Sequence, residues 1–476
     1  MSGSSIIMIR HTALLWLWQS TLREVTLGAQ GIFRAECFLP KIFPDPVRRR
    51  LTPVLRSSTL AVVVAYLLRM ALLWLSSEKA IAHPTFQVLG MEEGRVAWSL
   101  ATGKGFSGTF PGYESVTAWL APVYPFLWAI CIRLSRLNSE AAVLLGQTMN
   151  CAFSAATCWP VYSTGKKLFN EKVGLASAWM WVFLPFAILI PLEWAWDQSL
   201  SALILALIVD ATLRLRESMS PLSWSGYGLL WGLAALVNPA LCGLLPFLLG
   251  WLIFQRWRSG VVTAALYARV ALIFVLAVLP WTIRNFYAVD SWIFVKSNFG
   301  LELWIGNHPG SDTQALHPMY SFPERIRLIM EGEPNYSRDK ERAAVGYIKA
   351  HPGEFARKTW GRILDTWTAN QNSWVDGWIA ALQLSREDVW VCSAFSVLSL
   401  AGLLLALRNY GMDSLPLVIC LIVFPIPYYI TNTTLRYRHP IDPLMTILAA
   451  YAISRLWAAL APRPAMQSLQ TISAEK

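Results

Sequence analysis

Long apolar stretches separated by short polar segments dominate the sequence from residue 58 to residue 460. A transmembrane helix needs roughly 20 consecutive, mostly apolar residues. The stretches that approach this length are 58–77, 140–162, 173–192, 198–213, 224–238, 239–255, 262–281, 389–408, 414–430 and 441–460. Only 14% of all residues are charged, whereas a soluble domain has about 25%. The sequence therefore predicts an all-α integral membrane protein with about ten transmembrane helices.

The basic residues orient these predicted helices, because cytoplasmic loops carry an excess of Lys and Arg. Clusters of Lys and Arg lie at 48–56, 166–172, 214–216, 256–258 and 408. All of them fall on the cytoplasmic side if the short apolar stretch 121–134 lies at the membrane surface as an interfacial helix. We therefore expect a multi-pass protein with both termini in the cytoplasm.

The predicted layout is a cytoplasmic N-terminal segment (1–57), a transmembrane domain (58–460) and a cytoplasmic tail (461–476). A first extracytoplasmic loop with interfacial helices follows the first span, and a long extracytoplasmic loop covers 284–388. Within the long loop, the sequence predicts helices that are interrupted at Pro352, because proline disfavours continuation of a helix.

The net charge of +11 does not indicate nucleic-acid binding, because the basic residues lie in short clusters between apolar stretches and form no basic domain. None of the seven cysteines belongs to a C-x-x-C pair, and this disfavours a zinc site or a disulfide framework. The predicted outer loops contain no Asp-x-Asp metal motif. We expect neither a nucleic-acid partner nor a metal.

Two adjacent acids, Glu92 and Glu93, come soon after the first predicted span and are followed by Arg95. On a helix, adjacent side chains point about 100° apart, so we expect that both acids cannot easily fill one pocket. A carboxylate at a half-desolvated interface has a raised pKa, which suits a general base. Two solvated loop acids are the alternative interpretation, and residue type alone favours it.

Asp197 lies at the outer start of the predicted span 198–213. It is either a helix N-cap or a further acid that faces the same cavity as Glu92. Arg284, Arg436 and Arg438 lie at the outer ends of spans, where arginine could bind a phosphate group. Ordinary interfacial snorkelling is the alternative for these arginines. Arg69 is the one charged residue near the centre of a predicted span, where snorkelling is also open to it.

The order and spacing of several short motifs resemble the GT-C membrane glycosyltransferases, most closely the branch of protein O-mannosyltransferases and aminoarabinose transferases. The resemblance covers about 58–460. Its motifs are the acidic pair with Arg95, Pro122-Val123-Tyr124-Pro125, Gly165–Phe169, Gly232–Leu236, Pro280–Asn285, Glu302–Asn307 and Tyr437–Pro440.

The resemblance implies a polyprenyl-phosphate-linked sugar as donor, no other cofactor, and an acceptor (a protein, a lipid or a glycan) that enters from the extracytoplasmic face. It implies Glu92 as general base, with Glu93 and Asp197 as further catalytic residues. The substrate-binding residues that it implies are Arg95, Tyr124, Arg284, Asn285, Asn307, Arg436, Arg438 and His439. It implies a place in the cell envelope, and we expect a bacterial inner or plasma membrane.

The sequence departs from this family at three positions. Glu92 replaces the usual Asp, and two lysines that contact the phosphate are replaced by Ala121 and Asn238. Two other functions therefore stay open: a polytopic transporter or lipid flippase, and a catalytically inactive GT-C-like scaffold.

Overall fold

The computed structural model describes residues 57–80, 88–193, 195–261, 263–311, 321–369 and 386–460. Helices make up almost all of the regular structure in these residues, and two isolated β-bridges, Ser107–Val116 and Phe110–Tyr113, shape the first loop. The predicted all-α class is confirmed. The predicted cytoplasmic tail lies outside the described residues, as does the N-terminal segment except for Ser57.

The helices are numbered here in chain order. They are α1 (Ser58–Ala80), α2 (Glu92–Ala101), α3 (Val123–Leu134), α4 (Ser139–Ala156), α5 (Cys158–Leu168), α6 (Glu171–Phe183), α7 (Pro185–Glu193), α8 (Gln198–Leu215), α9 (Pro221–Val237), α10 (Leu245–Arg258), α11 (Ala264–Val289), α12 (Phe299–Gly306), α13 (Phe322–Glu331), α14 (Glu333–Ala350), α15 (Pro352–Thr368), α16 (Arg386–Tyr410), α17 (Leu415–Val423), α18 (Ile426–Ile430), α19 (Leu435–Arg438) and α20 (Asp442–Leu460). Short 3₁₀ turns occupy Pro239–Leu244, Gly411–Ser414 and His439–Ile441.

Several helices begin at polar residues that fix their first turn. Asn138 and Asn170 accept hydrogen bonds from backbone N–H groups of α4 and α6, and Ser220 and Ser321 do the same for α9 and α13. Such N-caps satisfy backbone donors that have no partner within the helix. Helix starts are therefore encoded locally even in this strongly apolar chain.

Six segments of the described residues are long and apolar enough to cross a membrane. They are Ser58–Leu75, Gln198–Leu215, Pro239–Arg258, Ala264–Val289, Val389–Ile430 and Leu435–Leu460. A seventh is added if α6 and α7, which are bent by 46° at their junction, count as one span. The chain is a multi-pass membrane protein. Val389–Ile430 has 42 residues, about twice what one crossing requires, so it has room for two of the ten predicted spans. The total of ten stays a prediction.

Two predictions about the loops can be compared with the helix bounds. Helix α3 has 12 residues, about 18 Å, and is too short for a hydrocarbon core of about 30 Å. A break at His351 separates α14 from α15, as predicted from Pro352. The long loop, however, does not begin at Arg284, because α11 continues to Val289 and ends where Asp290 adopts a left-handed conformation with φ 49°.

Arg69 does not snorkel, and this corrects the interpretation from sequence. Its side chain is fully buried and donates hydrogen bonds to the carbonyl groups of Trp181, Val182 and Ala187 and to the Ser154 hydroxyl. The α6–α7 bend frees carbonyl groups around Leu184 that need donors in an apolar environment. Arg69 supplies these donors, so the buried charge holds the broken helix pair against α1 and α4.

Basic residues of two predicted cytoplasmic clusters, 166–172 and 214–216, meet at one end of the bundle. Buried Asp210 forms ion pairs with Lys167 and Arg214, and Arg216 pairs with Asp413 at 2.9 Å. This end lies at the C-terminus of α8. Asp197, before the N-terminus of α8, is about 20 Å from Asp210 along the helix, so the two acids lie toward opposite ends of the bundle.

Candidate active site

A cavity of about 150 Å³ lies where α2 and α8 begin, between α3, α12 and α19. Both helix N-termini present backbone N–H groups and a positive dipole end, which favour nearby negative charge. The described residues that line the cavity are Glu92, Glu93, Trp119, Leu120, Ala121, Tyr124, Pro125, Trp196, Asp197, Gln198, Val237, Asn238, Lys296, Asn298, Glu302, Tyr428, Thr431, Asn432, Arg436 and Tyr437.

Glu92 and Glu93 both line this cavity. The expectation that adjacent acids cannot share one pocket is therefore wrong. It fails because the pocket covers the end of α2, where the side chains of the first turn can reach the same space. The Oε2 atom of Glu93 is buried and has no hydrogen-bond partner among the described residues. Burial, with repulsion from Glu92 and Asp197, raises the pKa of Glu93 to about 8.

Asp197 lines the same cavity and precedes α8, but its side chain does not cap the helix. Its carboxylate accepts hydrogen bonds from Ser201 Oγ at 2.7 Å and from Gln198 Nε2 at 3.1 Å. Burial raises the pKa of Asp197, and the Ser201 hydroxyl and the charge of Lys296 oppose that shift. The N-cap interpretation is wrong, and the geometry places Asp197 beside the acids of α2.

Arg436 is the cavity arginine. Its guanidinium carbon lies 3.6 Å from the ring centroid of Trp196 and 4.8 Å from that of Tyr437. Its Nη2 atom donates to the Tyr437 hydroxyl at 3.0 Å, while its buried Nε atom has no hydrogen-bond partner in the described part of the chain. The aromatic rings fix the plane of the guanidinium and leave a donor available to an anion.

Tyr124 also reaches the cavity, and its hydroxyl donates to Asn150 Oδ1 at 3.0 Å. Glu302, which belongs to a motif quoted above, accepts hydrogen bonds from Asn298 at 3.2 Å and from Asn432 at 2.8 Å. From that motif, the sequence resemblance implies Asn307, and not Glu302, as the substrate-binding residue. Five positions apart on a helical path, residues 302 and 307 point about 140° apart, so helical periodicity could have separated them.

Three of the predicted arginines do not line the cavity. Arg95 donates to the carbonyl groups of Gly108 and Phe110, and its Nη2 atom lies 3.6 Å from Glu114 Oε1. It therefore stabilises the conformation of the first loop. Arg284 donates to the carbonyl groups of Thr117 and Phe106 and ties α11 to the same loop. These guanidinium groups bind atoms of the protein. Their positions do not support a role in substrate binding.

Arg438 is fully buried and pairs with Asp442 at 2.9 Å, and it also donates to Thr366 and Ser396. His439 Nδ1 lies 3.2 Å from the same Asp442. Neither residue lines the cavity, and both are held by Asp442, the first residue of α20.

Two predicted amide residues also lie outside the cavity. Asn285 donates to the carbonyl groups of Ile293 and Val295, and Asn307 donates to those of Leu303 and Ile430. Each amide satisfies buried backbone groups. They hold the loops around the cavity and do not face it.

Sequence reasoning did not select several polar residues that line the cavity, among them Lys296, Asn298, Glu302 and Asn432. These four belong to the predicted outer loops, and their approach to Glu92 depends on tertiary folding. No group of three or more His, Cys, Asp or Glu side chains in the described ranges could hold a metal ion. The Gly-rich run of the first loop forms turns, with φ of 84° at Gly103 and 76° at Gly108.

Residues 120–283 match the family model of the dolichyl-phosphate-mannose-protein mannosyltransferases. The fold is similar to that of the Archaeoglobus fulgidus oligosaccharyltransferase in the apo form, with a TM-score of 0.52 and 16% identity over 84% of this chain and 51% of that chain. This chain has the GT-C fold. The resemblance to GT-C glycosyltransferases that was seen in the motifs is confirmed. The matched segment contains Tyr124, Asp197 and Asn238, three residues of the cavity.

Two further structures of oligosaccharyltransferases from the same archaeon match with lower scores. The complex with Zn and sulfate has a TM-score of 0.49 and 15% identity, over 84% of this chain and 49% of that one. The complex of the archaeal oligosaccharyltransferase AglB with an inhibitory peptide and a dolichol-phosphate has a TM-score of 0.48 and 14% identity, over 84% and 50%. This chain spans about half the length of these structures. No curated protein matches it in sequence.

Proposed function

We propose that the protein is a membrane glycosyltransferase that moves a sugar from a polyprenyl-phosphate-linked donor to an acceptor. The observation that carries this proposal is the shared cavity of Glu92, Glu93 and Asp197 with Arg436. Glycosyl transfer from a lipid phosphate needs a base for the acceptor and a cation for the leaving phosphate. The match of residues 120–283 to a family named for a dolichyl-phosphate sugar supports the donor class.

Glu92 acts as the general base in this proposal. Glu93, with its pKa raised to about 8 by burial and by the neighbouring acids, is protonated at neutral pH. A protonated carboxyl group donates a hydrogen bond but does not accept the acceptor's proton, so the role of base falls to Glu92. Asp197, fixed by Ser201, positions the acceptor or the sugar from the other side of the cavity.

The proposed step is a direct displacement at the anomeric carbon. Glu92 takes the proton of the acceptor hydroxyl or amine, and the acceptor atom forms its bond to the anomeric carbon. The bond between that carbon and the phosphate oxygen breaks, and the electron pair leaves with the phosphate. Arg436 stabilises the charge that develops on the leaving group. Arg284 and Arg438, which we expected in this role from sequence, already donate to protein atoms.

We also propose that the cavity opens on the extracytoplasmic side of a bacterial inner or plasma membrane, with both termini in the cytoplasm. The paired basic residues around Asp210, at the opposite end of α8, support this orientation under the positive-inside rule. The acceptor class (protein, lipid or glycan) follows from none of the contacts described above, so the assay below uses acceptors of all three kinds.

The test is transfer of radiolabelled sugar from a panel of polyprenyl-phosphate sugars by the purified full chain in lipid. We expect Glu92→Gln to lower transfer by about 10²- to 10⁴-fold, the range for loss of a general base, while the thermal midpoint is retained. Glu341→Gln is the matched control, because Glu341 is exposed on α14, away from the cavity.

Three results would contradict parts of this proposal. Transfer that survives Glu92→Gln but is lost in Glu93→Gln would move the base to Glu93. A product that keeps the anomeric configuration of the donor would exclude direct displacement. Wild-type protein that transfers no sugar from any donor, although it is folded, would contradict the enzyme itself and favour a scaffold or a transporter.

A further inference from the structure

We propose that Lys296 binds the phosphate group of the lipid-linked donor, as the second cation of the cavity beside Arg436. This inference rests on the proposed function and deepens it, because it assigns the anion site to two elements that are far apart in the sequence. Among the lining residues that the structure describes, Arg436 and Lys296 are the two cationic side chains.

Lys296 is available for a ligand. It is exposed and lines the cavity, and it has neither a hydrogen bond nor an ion pair with any described residue. Two other lysines of the outer loops are engaged, since Lys340 pairs with Glu324 at 2.8 Å and Lys358 pairs with Glu354 at 2.8 Å. Lys104 and Lys349 are exposed but do not line the cavity. The charge of Lys296 acts on Asp197 across the cavity, but no described carboxylate forms an ion pair with it, so the ammonium can still bind an anion that enters the cavity.

The backbone on both sides of Lys296 is fixed, although its side chain is free. The Val295 carbonyl accepts hydrogen bonds from Trp281 Nε1 and Asn285 Nδ2, each at 3.0 Å. The Ser297 amide donates to the Ala118 carbonyl at 3.0 Å, and the Ser297 hydroxyl donates to the buried carboxylate of Glu333. The ammonium group is therefore held within reach of the cavity, and binding has to order only the lysine side chain.

Charge repulsion limits where a phosphate can bind in this cavity. Four acids line the cavity (Glu92, Glu93, Asp197 and Glu302), and a phosphate that enters among them is repelled unless cations are near. Arg436 can offer a planar donor pair, and Lys296 adds a mobile point charge. Ala121 and Asn238, where the resemblance led us to expect lysines, also line this cavity and are neutral. Lys296 brings a positive charge to the same space from a different element.

The experiment measures binding of radiolabelled undecaprenyl phosphate, and of the uncharged undecaprenol, to the full chain in lipid nanodiscs. We expect wild type to prefer the phosphate and Lys296→Gln to weaken phosphate binding by about 10- to 100-fold, the value of one charged hydrogen bond. Binding of undecaprenol should not change. Lys296→Arg keeps the charge and should retain most of the affinity, which separates loss of charge from loss of fold.

Lys349→Gln is the matched control, because Lys349 is exposed on α14 and is not a cavity residue. If Lys296→Gln binds undecaprenyl phosphate as wild type does, the role of Lys296 is overturned and the proposed glycosyltransferase stands. If wild type does not prefer the phosphate over undecaprenol, the proposed donor class is overturned, and the role of Lys296 with it.

Discussion

Arg436 and Arg438 are two residues apart in one short motif, but they belong to two different regions of the molecule. Arg436 lines the cavity, stacked on Trp196, with its Nε atom unpartnered among the described residues. Arg438 lies in a packed cluster behind the cavity, where it pairs with Asp442 and donates to Thr366 and Ser396. The Nη2 atom of Arg438 is also buried and unpartnered among the described residues, so the two regions differ in the carboxylate that pairs with Arg438 and in the cavity that Arg436 lines.

This comparison gives a criterion for assigning the charged residues of the chain. Where partners within the protein offset a buried charge, as with Arg69, Asp210 and Arg438, we assign the residue to the stability of the bundle. Where a group lines the cavity and has no ion-pair partner among the described residues, as with Glu93, Arg436 and Lys296, we propose that a substrate is its partner. The predictions below test the criterion by changing one residue from each region.

The largest effect is expected for Arg438→Met, because it leaves the buried Asp442 carboxylate without its guanidinium partner. Removing one member of a buried ion pair costs about 3–5 kcal/mol, so we expect a much lower yield of folded protein and a lower thermal midpoint in detergent. The double variant Arg438→Met/Asp442→Asn should recover part of the loss. A well-folded Arg438→Met protein that fails to bind undecaprenyl phosphate would return Arg438 to the substrate site.

Arg436→Met should give the opposite result, with folding retained and catalysis lost. Loss of one group that stabilises the developing charge costs about 10²- to 10³-fold in turnover, and we expect that range for sugar transfer. Arg436→Lys keeps the charge but loses the planar stacking on Trp196. Its rate of sugar transfer should therefore lie between those of Arg436→Met and wild type. If Arg436→Met lowers the thermal midpoint as much as Arg438→Met does, the distinction between the two regions is wrong.

Sequence alone could not separate these two arginines. Both follow an apolar span, both suit a phosphate, and α19, the helix that contains them, has only four residues, Leu435–Arg438. Their different roles arise from contacts with Trp196 and Asp442. For the same reason, sequence did not show that Arg284 lies outside the cavity, where it donates to the carbonyl groups of Thr117 and Phe106 in the first loop.

Apolar length and proline positions predicted the all-α membrane class, the short α3 and the break at His351, because these features are set by local chain chemistry. Three of the four cavity acids, Glu92, Glu93 and Asp197, were also found from sequence, since carboxylates beside a membrane are costly and stand out. Lys296 was missed because nothing local distinguishes it from other loop lysines. Its identification required the cavity, which forms only when the long loop packs on the first loop.

The smallest expected effect is a change in how stability depends on pH. It tests whether Glu93, a cavity residue, is unpaired in the folded protein. Burial and the neighbouring acids raise the pKa of Glu93 from 4.5 to about 8 in the folded protein. Between these two pH values the folded state holds a proton that the unfolded state has released. The resulting contribution to stability is therefore complete below about pH 4.5 and is lost as pH rises through 8.

Glu93→Gln removes this proton equilibrium. We expect the thermal midpoints of wild type and Glu93→Gln to be close at pH 5, and the wild-type midpoint to fall further by pH 9, so that the variant is the more stable protein in alkali. Glu341→Gln, which changes an exposed acid, should follow the wild-type curve. If wild type instead gains stability relative to Glu93→Gln as pH rises, Glu93 is a paired carboxylate in the folded protein. Glu93 would then be a paired charge like Asp442 and Arg438, and it would no longer count among the cavity groups proposed to bind a substrate.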